Sequence, residues 1–96
     1  MEIGYHPLVR QDVLGIIRYY HDISARLADE LNDELQAVIS KISQNPLRFP
    51  PTECGFRRAN LKRFPYHVLY EANPERIRVM IVRHNKRHPQ FGMDRR

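Results

Sequence analysis

Phe64-Pro65-Tyr66-His67-Val68-Leu69-Tyr70-Glu71-Ala72-Asn73-Pro74-Glu75-Arg76-Ile77-Arg78-Val79-Met80-Ile81-Val82-Arg83 reads as two strands about a turn. Over Tyr66–Ala72, Tyr66, Val68 and Tyr70 share one face and His67 and Leu69 the other. Over Arg76–Arg83, Ile77, Val79 and Ile81 alternate against Arg78, Met80 and Val82. Asn73-Pro74-Glu75 supplies the turn, since Pro fixes φ and Asn bonds its own backbone. A further strand pattern over about Phe56–Leu61 makes this an antiparallel meander. Leu47 to Gly55, with Pro50 and Pro51 inside it and Pro46 just before it, reads as the loop before it.

Upstream, the period changes from two to 3.6. Leu27, Leu31, Leu35, Val38, Ile39 and Ile42 form one stripe, with Asp29, Glu30, Asn32, Asp33, Glu34 and Gln36 off it. This is an amphipathic helix that begins near a capping Ser24 and ends at Asn45-Pro46. An earlier helix runs from Leu8 to about His21 on Leu8/Val9, Val13, Ile16/Ile17 and Tyr20, entered through Pro7. Residues 2–6 can form a short strand, weakened by Gly4. The expected fold is one α+β domain over residues 1–96, a helical hairpin packed on a small antiparallel sheet. The tail from His84 to Arg96 is expected to be a loop or a short element lying over the sheet.

Composition narrows the function. The chain has 96 residues and a single cysteine, Cys54, so no internal disulfide forms, which fits a reducing cytoplasm. No apolar run approaches the ~18 residues of a membrane span, and the start does not read as a signal peptide. A cytoplasmic protein without membrane partners is expected. Charge is segregated. Residues 1–50 carry five Lys/Arg against seven Asp/Glu, and residues 51–96 carry eleven against four. A basic half of this kind suits an anionic partner, nucleic acid or an acidic protein segment; the plainer alternative is a solvated basic surface.

No cofactor is expected. His84 and His88 have ligand spacing on a helix, but Pro89 follows and no Cys or third His completes a set, so no metal site is expected either. The chemistry-bearing residues are Arg57, Arg58, Lys62, Arg63, His67, Arg83, His84, Lys86, Arg87 and His88. In a meander, Arg58, His67 and the segment His84 to His88 can converge on one open face. Such a face binds phosphates through arginine forks. With histidine as acid or base and arginine stabilising charge, it could also cleave RNA.

The order of these features resembles the RelE/ParE toxin superfamily over nearly the whole chain. The most specific parts are Phe64-Pro65-Tyr66-His67-Val68-Leu69-Tyr70 and His84-Asn85-Lys86-Arg87-His88-Pro89. The resemblance implies a β-α-α-β-β-β fold and a toxin of a type II toxin–antitoxin system. It implies growth arrest when the toxin is free, and neutralisation by a cognate acidic antitoxin in a hetero-oligomer. Two activities exist among such proteins. In the ParE-like reading the chain inhibits DNA gyrase, and the basic set (Arg57, Lys62, Arg63, Arg83, Lys86, His88) is a target- or nucleic-acid-binding surface. In the RelE-like alternative it is a ribosome-dependent mRNA endoribonuclease, with Arg58, His67, Arg87 and His84 catalytic. Matched to that branch, Arg58 stands for a strand lysine, Asn60 replaces a second lysine, and His67 replaces an arginine. Arg87 is kept, and Met93 falls near the place of a tyrosine. The His84-x-x-Arg87-x-Pro89 ending is closer to the gyrase-directed branch.

Overall fold

In the computed structural model, which describes residues 2–96, two helices cover one face of a four-stranded mixed sheet. The elements are β1 (Ile3–Tyr5), α1 (Val9–Ile23), α2 (Ala25–Gln44), β2 (Arg57–Asn60), β3 (Tyr66–Ala72) and β4 (Ile77–His84). The sheet order is β1-β4-β3-β2. β2, β3 and β4 form the expected meander, and β1 adds in parallel beside β4, with Ile3 opposite Ile77 and Tyr5 opposite Val79.

Ser24 separates the helices and caps the second. Its side chain accepts from the Leu27 N–H at 3.3 Å, while its own N–H closes α1 on the Tyr20 carbonyl. Ser24→Ala is expected to lower stability by about 1 kcal/mol, read as a shift of the urea midpoint. The predicted α2 stripe is the core: Leu31, Leu35 and Ile42 are almost fully buried against Val68, Tyr70, Ile77 and Val79. The α1 stripe also packs inward through Val9, Val13, Ile16, Ile17 and Tyr20. Leu8, expected on that stripe, is instead exposed, because it is the capping residue before the first turn.

The β4 alternation departs from the expected one. Leu69 faces Ile81 but Tyr70 faces Val79, so Met80 is an extra residue, a bulge in the ladder. Beyond it the phase inverts. Val82 joins Ile77 and Val79 on the helix side, and Ile81 turns with Met80 and Leu69 to the far side. A strict period of two cannot survive a bulge, which the sequence pattern does not mark.

The far side is a second small core. Residues 85–96, mostly turns, fold back over it and place Phe91 and Met93 against Leu69, Met80 and Ile81. The tail is fastened at its end. Arg95 and Asp12 form a bidentate ion pair at 2.7 and 2.9 Å, with both side chains 6% exposed. β1 pairs only as far as Val79, and this pair takes over where it stops. Asp12 accepts the Val82 N–H at 3.1 Å and Arg95 donates to the Met80 carbonyl at 2.8 Å.

Candidate functional site

The antiparallel register divides the basic residues between the two faces of the sheet. Asn60 faces His67 and His67 faces Arg83, so these three lie on the far face with Arg58, the partner of Leu69. His84 faces Tyr66 and lies on the helix side, its ring edge-on to Tyr66 at 5.1 Å between centroids. The expected convergence of Arg58, His67 and His84 on one open face therefore does not occur. Adjacent strand residues point to opposite faces, and His84 directly follows Arg83.

His67 sits at the centre of a closed network. It is 1% exposed, and both ring nitrogens are engaged. Arg83 Nε donates to its Nε2 at 3.0 Å, so Nε2 is the acceptor and Nδ1 carries the hydrogen given to Asn85 Oδ1 at 2.8 Å. The rest of the Arg83 guanidinium holds the carbonyls of Pro89 and Phe91. Burial pushes the His67 pKa below its ordinary 6.5. The Asn85 bond opposes this shift, and the nearby Arg58, Arg83 and His84 add to it. The folded state thus favours neutral His67, while the unfolded chain takes up its proton near pH 6.5. This contribution to stability is present above that pH and is lost as pH falls through the lowered folded value. Urea midpoints at pH 7.5 and 5.0 should differ more for the natural chain than for His67→Gln.

Several other cations are committed to structure. Arg57 donates to the Phe49 carbonyl at 2.6 Å and to that of Leu47, holding the proline-rich loop. Tyr70 holds the same loop through the Pro46 carbonyl at 2.6 Å. Arg63 pairs with Glu30 of α2, and the backbone N–H groups of Lys62 and Arg63 donate to the Glu34 carboxylate. Arg58 Nε donates to Asn60.

Lys62, Lys86, Arg87 and His88 are exposed. They gather at one end of the sheet, because the β2–β3 connection and the segment after β4 are joined there by the Asn85 N–H to the Pro65 carbonyl. Arg87 lies over the Phe91 ring at 4.2 Å, beside a cleft of about 580 Å³ between α1 and the end of β4. Gln11, Tyr19, Tyr66, His84 and Arg87 line that cleft. Burial and then the neighbouring Tyr20 push the Tyr66 pKa up to about 12, so its phenol stays neutral.

On the far face a second cleft of about 500 Å³ holds Phe56, Arg58, Leu69 and Arg83, with Cys54 exposed at its rim. No group of three or more His, Cys, Asp or Glu able to hold a metal ion occurs among the described residues, and no described helix is long and apolar enough to cross a membrane. Two features lie outside the sequence reading, the Asp12–Arg95 pair and the exposed outer face of α1. The pair joins positions 83 apart, and the tail reads as ordinary solvated charge.

Residues 3–89 match the family model described as ParE toxin of type II toxin-antitoxin system, parDE. Toxin ParE2 of Mycobacterium tuberculosis, in strains CDC 1551 / Oshkosh and ATCC 25618 / H37Rv, is 33% identical over 85 residues, covering 88% of this chain and 81% of the relative. Among solved structures, a chain of a chromosomal ParDE toxin–antitoxin system from P. aeruginosa superposes with a TM-score of 0.78 at 16% identity. That match covers 88% of this chain and 95% of the other, a likeness of fold.

Proposed function

Since the chain belongs to the ParE toxin family of type II toxin–antitoxin systems, we propose that it arrests growth by binding and inhibiting DNA gyrase, and that a cognate acidic antitoxin holds it silent. The observation that carries this choice over RNA cleavage is the state of His67. A general acid or base must reach the substrate and exchange a proton with it. His67 is sealed beneath the tail, and its two nitrogens are spent on Arg83 and Asn85. His84 lies across the sheet from it. Of the candidate site residues, Lys62, Lys86, Arg87 and His88 are exposed and outside any ion pair among the described residues, and they lie at one end of the molecule, a binding surface more than a reaction centre. Arg63 and Arg83 hold the segments next to that surface, whereas Arg57 fixes the Leu47–Phe49 loop at the other end of β2.

Pulse labelling after induction without the antitoxin tests the proposal. DNA synthesis should collapse first, with translation intact, and the purified chain should block supercoiling by gyrase. Early loss of translation with cut mRNA would overturn it. His67→Gln gives a sharper discrimination. A nuclease using His67 should lose activity by orders of magnitude. A binder should keep toxicity within a few-fold once expression is matched.

A further inference from the structure

Two connections meet at one end of the sheet, the turn between β2 and β3 and the segment that follows β4. The Asn85 N–H donates to the Pro65 carbonyl at 2.8 Å and ties them together. No Asp or Glu occurs from Cys54 to Tyr70, nor from Arg76 to Met93. Both connections fall inside these acid-free stretches and carry Lys62, Lys86, Arg87 and His88, all exposed. The carboxylates bonded to the first connection come from α2, and they leave the Lys62 side chain unpaired. Glu30 pairs with Arg63, and Glu34 accepts the backbone N–H groups of Lys62 at 3.0 Å and Arg63 at 3.3 Å.

The side chains of this patch are donors. The Lys62 and Lys86 ammonium groups and the Arg87 guanidinium make no ion pair among the described residues. Arg87 stands over the Phe91 ring at 4.2 Å, which steadies a long side chain and leaves its N–H edge open. The Nδ1 atoms of His84 and His88 accept the backbone N–H groups of Lys86 and Gln90, at 3.0 and 3.1 Å. A neutral ring engaged in this way carries its hydrogen on Nε2, a further donor. Asn85 between them gives its side-chain oxygen to His67.

From these observations we infer that this end of the sheet takes the phosphodiester backbone of duplex DNA, so that the toxin meets gyrase through the DNA the enzyme holds. This rests on the gyrase reading above, which makes duplex DNA the polyanion at hand. A phosphodiester oxygen only accepts, and the patch presents donors. Glu34 fixes the backbone under Lys62, and Phe91 fixes Arg87, so less freedom is lost on contact. Phosphate contacts set the orientation of a protein on the duplex and carry no sequence information, so little sequence preference is expected.

Binding of the purified full chain to a short labelled duplex, followed by fluorescence anisotropy, tests this without gyrase. With three phosphate-bound cations, affinity should fall about 40-fold between ~50 and ~200 mM salt. Lys62→Gln, Lys86→Gln and Arg87→Gln should each reduce that fall to about 12-fold. Arg76 is exposed just before β4, at the opposite end of the sheet. Arg76→Gln removes the same charge and should leave the fall at about 40-fold. No saturable binding at the lower salt, or an unchanged fall in all three patch variants, would overturn the inference. So would stronger competition by single-stranded RNA or by polyglutamate than by unlabelled duplex, the latter marking an acidic protein as the occupant. The two readings fail separately. Duplex binding as described, with supercoiling by gyrase untouched, sinks the gyrase reading and keeps the DNA surface. Gyrase inhibition without salt-dependent duplex binding does the reverse.

Discussion

Arg95→Ala is expected to destabilise the protein by about 3–5 kcal/mol, since removing one partner leaves the other charge buried and unpaired. Asp12 is 6% exposed at its side chain, and its carboxylate would retain only the Val82 N–H. The Met80 carbonyl would lose its donor as well. Such a loss is a large part of the stability of a domain this size. Urea denaturation at pH 7 reads it directly. A cost below about 1 kcal/mol would mean that the pair behaves as a surface contact.

Gly92→Ala should cost about 2–4 kcal/mol. Gly92 has φ of +81°, where an L residue is strained, and a Cβ there would lie 2.7 Å from Ile81 Cδ1 and 2.9 Å from its Cγ1. Ile81 is fully buried in the far-side core and cannot swing away. The two substitutions strike the same element, and this limits their sum. Once the tail leaves the sheet, Asp12 hydrates and the strain at residue 92 disappears. Neither change, nor both together, can cost more than the free energy of docking the tail. The double variant should therefore be clearly less destabilised than the sum of the two singles. Full additivity would show that the tail does not detach as a unit.

The helices and the meander were legible because their signals are local. The α2 stripe repeats every three or four residues, and Ser24 and Asn45-Pro46 mark its ends. The Tyr66–Ala72 strand alternates without a fault. What escaped the sequence depends on register or distance. The bulge at Met80 inverts the second half of β4, so Val82 and Ile81 exchange faces although both are apolar and either arrangement fits the pattern. The same register sends His84 away from His67, which a list of basic residues cannot foresee. His67 reads as a surface histidine until Arg83, Asn85 and the tail close over it. Arg95 reads as solvated until the fold brings Asp12 to it.

The way β4 is finished has a consequence in crowded solution. Past Val79 its outer border is closed by two side chains instead of a neighbouring strand. A carboxylate and a guanidinium imitate the acceptor and donor that a strand would have presented. When the tail lifts, through truncation or loss of Arg95, the border at Met80–Val82 becomes an open template beside newly bared Leu69, Met80 and Ile81. Such a border recruits extended chains from other molecules. Shortened forms of this protein should form intermolecular sheet under conditions in which the intact chain stays monodisperse.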